Sequence, residues 1–315
     1  MYGVPQGSVL GPILFVLYTM LLSNIIANHS VNHQLFADDT QLQKSAPLSE
    51  VTNLTKELSV CTDDIKSWMT ENQLKLNNDK TALLFPFSSS LKPSIISLPD
   101  SITLGSHNIP FFDSARNLGF ILDSKLSMKK HVIKICQTAH FKLKRISSIC
   151  RFVTEDAAET LVIFYFLSQL DYSNCLLMGT PNSVIWPLQK IQNFAARLVL
   201  LAPRHQLSTP LPEKLHWLPI SERIKIKVTC MCFSAINSSD PVYLSELLYV
   251  YTPSHTLPLL LTPICRKFNN TNARLMASAP SLALDPTFGI HTHKTLSYFK
   301  AKLKTFLFSQ YFHPN

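Results

Sequence analysis

Asp38 and Asp39 stand side by side in the run QLFADDTQL, residues 34–42, between short apolar stretches. Adjacent carboxylates on a turn suit hard divalent cations such as Mg2+, which take oxygen ligands and keep positions open for phosphate oxygens. Two such ions can activate an attacking hydroxyl and stabilise the leaving oxygen of an in-line phosphoryl displacement. Asp-Asp is also an ordinary polar turn, and taken alone the dipeptide reads as no more than that. Leu35, Phe36 and Leu42 are expected to seat the pair on a core.

Two further stretches have the composition of a site. GVPQGSVLGP, residues 3–12, holds Gly3, Gly7 and Gly11, three of only seven glycines in the chain. Glycine lets a backbone come close to a ligand, and the amide of Gln6 can hydrogen-bond a base or a sugar. KKHVIKICQTAHFKLKRISSICR, residues 129–151, carries seven Lys and Arg, and no acid lies between Asp123 and Glu155. Val132, Ile135, Ala139, Leu143 and Ile146 recur at helical spacing, which puts the bases on the opposite face.

The elements that must position these residues follow from periodicity and turn signals. The Gly/Pro loop leads into a helix ending near Ala27. Its apolar run over 9–22 is shorter than the roughly 20 residues of a membrane span. It also contains Gly11 and Pro12, and the first base of the chain is Lys44. This stretch reads as a buried helix and not as an anchor or a signal peptide. Residues 33–43 read as a β-hairpin whose turn carries the acid pair. A helix over 48–72 has an apolar face of Val51, Leu54, Leu58, Cys61, Ile65, Trp68 and Met69. Strands are expected at 81–87 and 109–122, and helices at 155–170, 184–201, 221–237 and 294–312. Residues 85–106 and 251–271 read as the loosest. The chain divides near residue 125, mixed before it and mainly helical after it.

Composition sets the class. The chain has 315 residues, 46% apolar and 16% charged, which is globular and not disordered. A net charge of +9 favours a polyanionic partner. The seven cysteines form no Cys-x-x-Cys pair or zinc spacing. They read as reduced thiols of an intracellular protein, with nucleus and cytoplasm not distinguished.

GVPQGSVLGPILF followed by FADD resembles the reverse transcriptases of non-LTR (LINE-type) retrotransposons, in their Jockey-like branch. LKLNNDKT (74–81), ARNLGFILDSKLSMKKHV (115–132), HWLPISERI (216–224) and SYFKAKLKTFLF (297–308) resemble later parts of that family. The resemblance implies an α+β fold: a partial polymerase palm over 1–125, a basic helical thumb over 126–215 and a helical C-terminal region over 216–315. It implies RNA-directed DNA polymerase chemistry, with Mg2+ as cofactor and an RNA template, a DNA primer and dNTPs as partners. Asp38 and Asp39 match the catalytic, metal-holding pair. Gly3, Pro5, Gln6, Gly7 and Ser8 match the loop that contacts template and nucleotide, and Leu118 and Gly119 match a turn near the primer terminus. Lys80 matches a lysine placed to neutralise departing pyrophosphate. Lys129, Lys130, Lys134, Lys142, Lys144 and Arg145 match bases that grip nucleic-acid backbone.

Some family features are not matched. Ala82 stands where a glutamate usually follows Lys-Thr, and Leu284 and Asp285 interrupt a distal Trp-Asn type of sequence. The family places a further palm aspartate well before the GVPQGS loop, a position this sequence does not reach. The resemblance therefore leads us to expect an incomplete active site, weak Mg2+ binding and no polymerisation by this chain alone. It also leads us to expect an unpaired sheet edge that favours pairing with another polymerase chain. The alternative expectation is a non-catalytic protein that binds nucleic acid, and no membrane partner is expected.

Overall fold

The structure, a computed structural model, describes residues 7–86, 101–104, 107–203, 205–246 and 295–312. The chain forms two compact units, Met1–Ser127 and Met128–Asn315. The architecture mixes α-helices with small antiparallel sheets, and every described sheet is a two-stranded hairpin. No helix among the described residues is long and apolar enough to cross a membrane.

The first unit begins with α1 (Gly11–Ala27), whose second residue, Pro12, carries a φ already set for a first turn. Hairpin β1 (Asn32–Phe36) and β2 (Asp39–Gln43) follows, then α2 (Val51–Glu71) behind a 3-10 turn at Leu48–Glu50. Leu22 and Ile26 of α1 meet Cys61 and Ile65 of α2, with Val31 completing the cluster. Leu35 and Leu42 lie against it from the hairpin, and Leu58, Trp68 and Met69 from α2. The Tyr18 hydroxyl donates to the Asn72 carbonyl at 2.6 Å, fastening α1 to the end of α2.

Only Leu22 and Ile26 of α1 are buried; Ile13, Leu14, Val16, Leu17, Met20 and Leu21 are exposed. The expectation of a buried helix is therefore corrected. A helix apolar on every side offers more surface than one partner helix and one hairpin can cover, and this core takes only its C-terminal turns.

The strand expectations also change. Residues 81–87 hold no described strand, only an isolated bridge between Leu83 and Phe111. The expected strand over 109–122 is broken into parts of two hairpins. One is β3 (Ser101–Leu104) with β4 (His107–Pro110), and the other is β5 (Ser114–Asn117) with β6 (Phe120–Asp123). Leu118 and Gly119 form the turn of the second, with φ of 45° and 85°. Two central residues of positive φ are the signature of the tight hairpin turn that matches strand twist. The Ser101–Leu104 strand falls inside a segment read as loose, and residues 251–271 lie outside the described residues. Asp123 ends β6: its buried carboxylate accepts from the Ser127 amide at 2.9 Å and the Lys125 amide at 3.2 Å.

In the second unit α3 (Lys129–Ile149) packs on α6 (Asn182–Val199). Val132, Ile135, Ala139, Leu143 and Ile146 of α3 are buried in one cluster with Leu188, Ile191, Ala195, Ala196 and Val199 of α6. The expected helix over 155–170 is interrupted. It runs as α4 (Glu155–Val162), a wide π turn over Ile163–Leu167, and α5 (Ser168–Asp171). Short α7 (Pro210–Lys214) leads to α8 (Ile220–Asn237), which is followed by α9 (Val242–Ser245). The last helix, α10 (Leu296–Phe312), lies on α8 with Phe299 stacked on Phe233, ring centroids 4.2 Å apart.

Buried polar contacts fix the register of this unit. Gln192, fully buried, donates to the Leu218 carbonyl at 2.8 Å, while Gln189 accepts from the Ile220 amide at 3.0 Å. The Trp217 indole donates to Glu159 at 2.9 Å, and Arg223 forks onto both oxygens of Asp171. The described cysteines are free thiols, and burial pushes those of Cys61, Cys136, Cys150, Cys230 and Cys232 up.

Two stability outcomes follow. Leu143→Ala, at a fully buried site, should cost about 2–5 kcal/mol in urea unfolding, whereas Ile133→Ala, on the exposed side of the same helix, should cost under about 0.5 kcal/mol. Ala37 holds φ 50° in the β1–β2 turn, a left-handed conformation that suits glycine better than alanine. Ala37→Gly should therefore stabilise the first unit by about 0.5–1 kcal/mol, read as a higher melting midpoint.

Candidate functional site

The β1–β2 register places each acid. Phe36 pairs with Asp39, Leu35 with Thr40 and His33 with Leu42. Asp38 is thus a turn residue and Asp39 the first residue of β2, so the two carboxylates are not both in the turn as expected. Alternation along a strand then sorts the side chains. His33, Leu35, Thr40 and Leu42 face the core side, and Gln34, Phe36, Asp39 and Gln41 face the other. Phe36 is 65% exposed and does not help seat the hairpin; Leu35 and Leu42 do. Asp38 and Asp39 are both exposed.

The hairpin is also held by polar contacts on the core side and behind it. Ser23 on α1 lies 2.6 Å from the His33 ring nitrogen. Lys44, just past β2, donates to the His29 carbonyl and pairs with Glu57 of α2 at 2.5 Å. His29 in turn lies 2.8 Å from Asp64. That contact occupies one member of another adjacent acid pair, Asp63–Asp64, on α2.

One contact brings another expected site element to the acid-pair hairpin. The Asn117 amide donates to Gln41 Oε1 at 2.7 Å. Gln41 lies two residues beyond Asp39 on the same side of β2, and Asn117 is the residue immediately before the Leu118–Gly119 turn. The turn is therefore tethered to the side of the hairpin that bears Asp39. Leu118 and Gly119 are both exposed there. Nothing in the spacing of residues 41 and 117 announces this bridge, which joins two polar side chains far apart in sequence.

The remaining expected residues are more scattered. Lys80 is exposed at the end of a 3-10 turn over Asn78–Lys80, whose amide is capped by the Asn77 side chain at 3.3 Å. No ion pair links it to Asp38 or Asp39 among the described residues. Gly7 has φ 93° with open space where a Cβ would stand, and Ser8 accepts from the Gly11 amide at 3.2 Å as α1 begins. Gly3, Pro5 and Gln6 lie outside the described residues. In the second unit Lys129, Lys130, Lys134, Lys144 and Arg145 are exposed on α3. Lys142 differs: its ammonium donates to the Tyr165 carbonyl at 3.2 Å and to Gln169 at 3.0 Å, holding the π turn.

The carboxylates of Asp38 and Asp39 are of the right chemical type for Mg2+. They are too few: among the described residues no group of three His, Cys, Asp or Glu could hold a metal ion. The described residues therefore do not by themselves fit a two-metal centre.

Comparison with known proteins relates part of this chain to a family. Residues 1–122 match the family described as reverse transcriptase (RNA-dependent DNA polymerase). The chain is 25% identical over 151 residues to the RNA-directed DNA polymerase from mobile element jockey of Drosophila funebris. It is 28% identical over 152 residues to the protein of the same name from Drosophila melanogaster. Each match covers 46% of this chain and 16% of the relative's length. No solved structure matches the chain. The acid-pair hairpin lies inside the residues matched to the reverse transcriptase family, and the two similarities together support reading the chain as a segment of a LINE-type, Jockey-like reverse transcriptase.

Proposed function

We propose that this chain engages an RNA template and a DNA primer as the palm-and-thumb part of an RNA-directed DNA polymerase. The observation that carries the reading is the tether from Asn117 to Gln41. It puts the Leu118–Gly119 turn, read as lying near the primer terminus, on the side of the hairpin that bears Asp39. In this reading residues 1–125 are palm, 126–215 thumb and 216–315 a helical C-terminal region. Asp38 at the turn and Asp39 beside it are the acids that face the reacting phosphates, with dNTPs as substrates. Gly3, Pro5, Gln6, Gly7 and Ser8 contact the nucleotide and template base, and Lys80 neutralises pyrophosphate. The chain works inside the cell, where its template is made.

Two carboxylates are poor compensation for the water Mg2+ must give up, so the chain alone holds the ion weakly. Loss of charge stabilisation at the transition state is worth several kcal/mol, or orders of magnitude in rate. Another polymerase chain that supplies a further acid and covers the hairpin edge would be its natural complement.

A second reading is a non-catalytic protein that binds nucleic acid. It is favoured by the exposed bases of α3 together with the lack of a third acid ligand among the described residues. Each exposed base can neutralise one phosphate, which gives sequence-blind, salt-dependent binding.

Primer extension on an RNA template with Mg2+ tests the first reading. The chain alone should incorporate no nucleotide, and incorporation that Asp38→Asn abolishes would overturn the expected inactivity. The chain should still bind primer-template, and failure to bind at low salt would end both readings. Lys134→Ala and Lys144→Ala should each lower the salt slope of binding by about 1. Lys142→Met should leave that slope unchanged and instead cost about 1 kcal/mol of stability, because its ammonium is engaged within the chain.

A further inference from the structure

We propose that the outer face of the α3–α6 pair is a stacking surface for unpaired bases, a binding site for single-stranded polynucleotide. It lies outside residues 1–122, which match the reverse transcriptase family, and goes beyond the backbone grip assigned to α3 above. Only the assumption that the chain meets nucleic acid is shared with that reading.

Three aromatic features stand on the exposed sides of these two helices. Trp186 on α6 is 56% exposed, with the Lys190 ammonium 5.9 Å from its ring centroid. Phe141 on α3 is 61% exposed, with the Arg145 guanidinium 5.0 Å from its ring centroid. Joining the two helices, the His140 ring stacks on Phe194 at 5.6 Å and an interplanar angle of 25°. Both cations come from the residue four positions on, one helical turn away, so each ring is presented with a positive charge beside it. Trp186 and Phe194 are eight residues apart, about 12 Å along the helix, which leaves room for successive splayed bases.

Charge singles out the occupant. No Asp or Glu lies between Asp123 and Glu155, or between Asp171 and Glu213, so neither α3 nor α6 carries a carboxylate. Lys134, Lys144, Arg145 and Lys190 are exposed on these helices. A helix pair with four exposed bases, three exposed ring systems and no acid of its own complements a polymer of alternating phosphates and flat rings. Aromatic stacking with flanking cations is how sequence-tolerant single-strand binding is built. A duplex hides its ring faces and could use only the bases.

Position on the helices supports the assignment. Phe141 lies opposite the buried row Val132, Ile135, Ala139, Leu143 and Ile146, and Trp186 opposite Leu188, Ala195 and Val199. Neither ring is needed to fill the core. Both keep large apolar faces in water beside long cationic side chains, an arrangement with no packing purpose.

The test uses the full chain with fluorescent 15-mers of oligo(U) and oligo(dT) and a blunt RNA–DNA duplex of equal length. Trp186→Ala should weaken binding to single strands about ten-fold, in line with the stacking energy of one base. Trp186→Phe should keep near-native affinity, and Phe141→Ala should weaken single-strand binding similarly. Duplex affinity should move less than about two-fold in all three, since phosphate contacts are untouched. Equal oligo(U) and oligo(dT) affinities are expected, because stacking ignores the sugar; a preference above ten-fold for one would overturn a stacking site. Unchanged single-strand affinity in Trp186→Ala and Phe141→Ala, with native circular dichroism, would overturn the proposal. So would binding to anionic vesicles with none to either oligonucleotide. If duplex binding fails while Trp186-dependent single-strand binding remains, the primer-template reading falls and this one stands.

Discussion

The two-residue period of one short hairpin governs what the first unit can present. Leu35 and Leu42 must meet Cys61 and Ile65, because they are the apolar residues the strands can contribute to that small core. Once they point inward, Asp39 and Gln41 must point outward, and a slip of one residue would exchange the two sets. The outward Gln41 is what Asn117 reaches, so the placement of the Leu118–Gly119 turn depends on the same pleat. Asp39 owes its exposure to hydrophobic packing on the opposite side of the sheet.

The second unit depends on a different device. Its α3–α6 contact is a broad apolar interface, but apolar surfaces slide, and buried amides stop them from doing so. Gln192 and Gln189, three residues apart on α6, hold the carbonyl of Leu218 and the amide of Ile220 on either side of Pro219. The start of α8 is therefore fixed in both position and direction. Trp217, one residue earlier, reaches Glu159, and Arg223, one turn into α8, reaches Asp171. A single stretch of seven residues ties three helices together. Each group is satisfied, which is the condition under which buried polar contacts specify a fold and do not weaken it.

Much of this was legible from residue order. The helices over 11–27, 51–71, 129–149, 182–199 and 220–237 carry strong apolar periodicity or a Pro-marked start, and they form within a few residues of expectation. The acid-pair hairpin was readable too, because alternation and an Asp-containing turn coincide there. Other features were not. Ala37 takes a left-handed turn position that its side chain does not favour, so the turn fell one residue earlier than the acids suggested. Leu118 similarly occupies a position of positive φ, and the apolar run around it looked like one continuous strand. α1 looked buried because composition reports how apolar a helix is, not how much partner surface exists to cover it. Lys142 was indistinguishable by type from its exposed neighbours; only the phase of α3 turns it toward Tyr165 and Gln169.

The π turn between α4 and α5 has a consequence for phase. Eight residues separate Val162 from Leu170, and in a regular α-helix they would leave the two side chains about 80° apart. Both are nevertheless buried in the same cluster, because the wide turn over Ile163–Leu167 lets the chain rotate less per residue. The cost is a set of loosened carbonyls, one of which the Lys142 ammonium caps. Helix length and helix face are thereby uncoupled at this point. The stretch accommodates one residue more than a regular helix would while both ends still address the same core, as a slack link does in an otherwise taut chain.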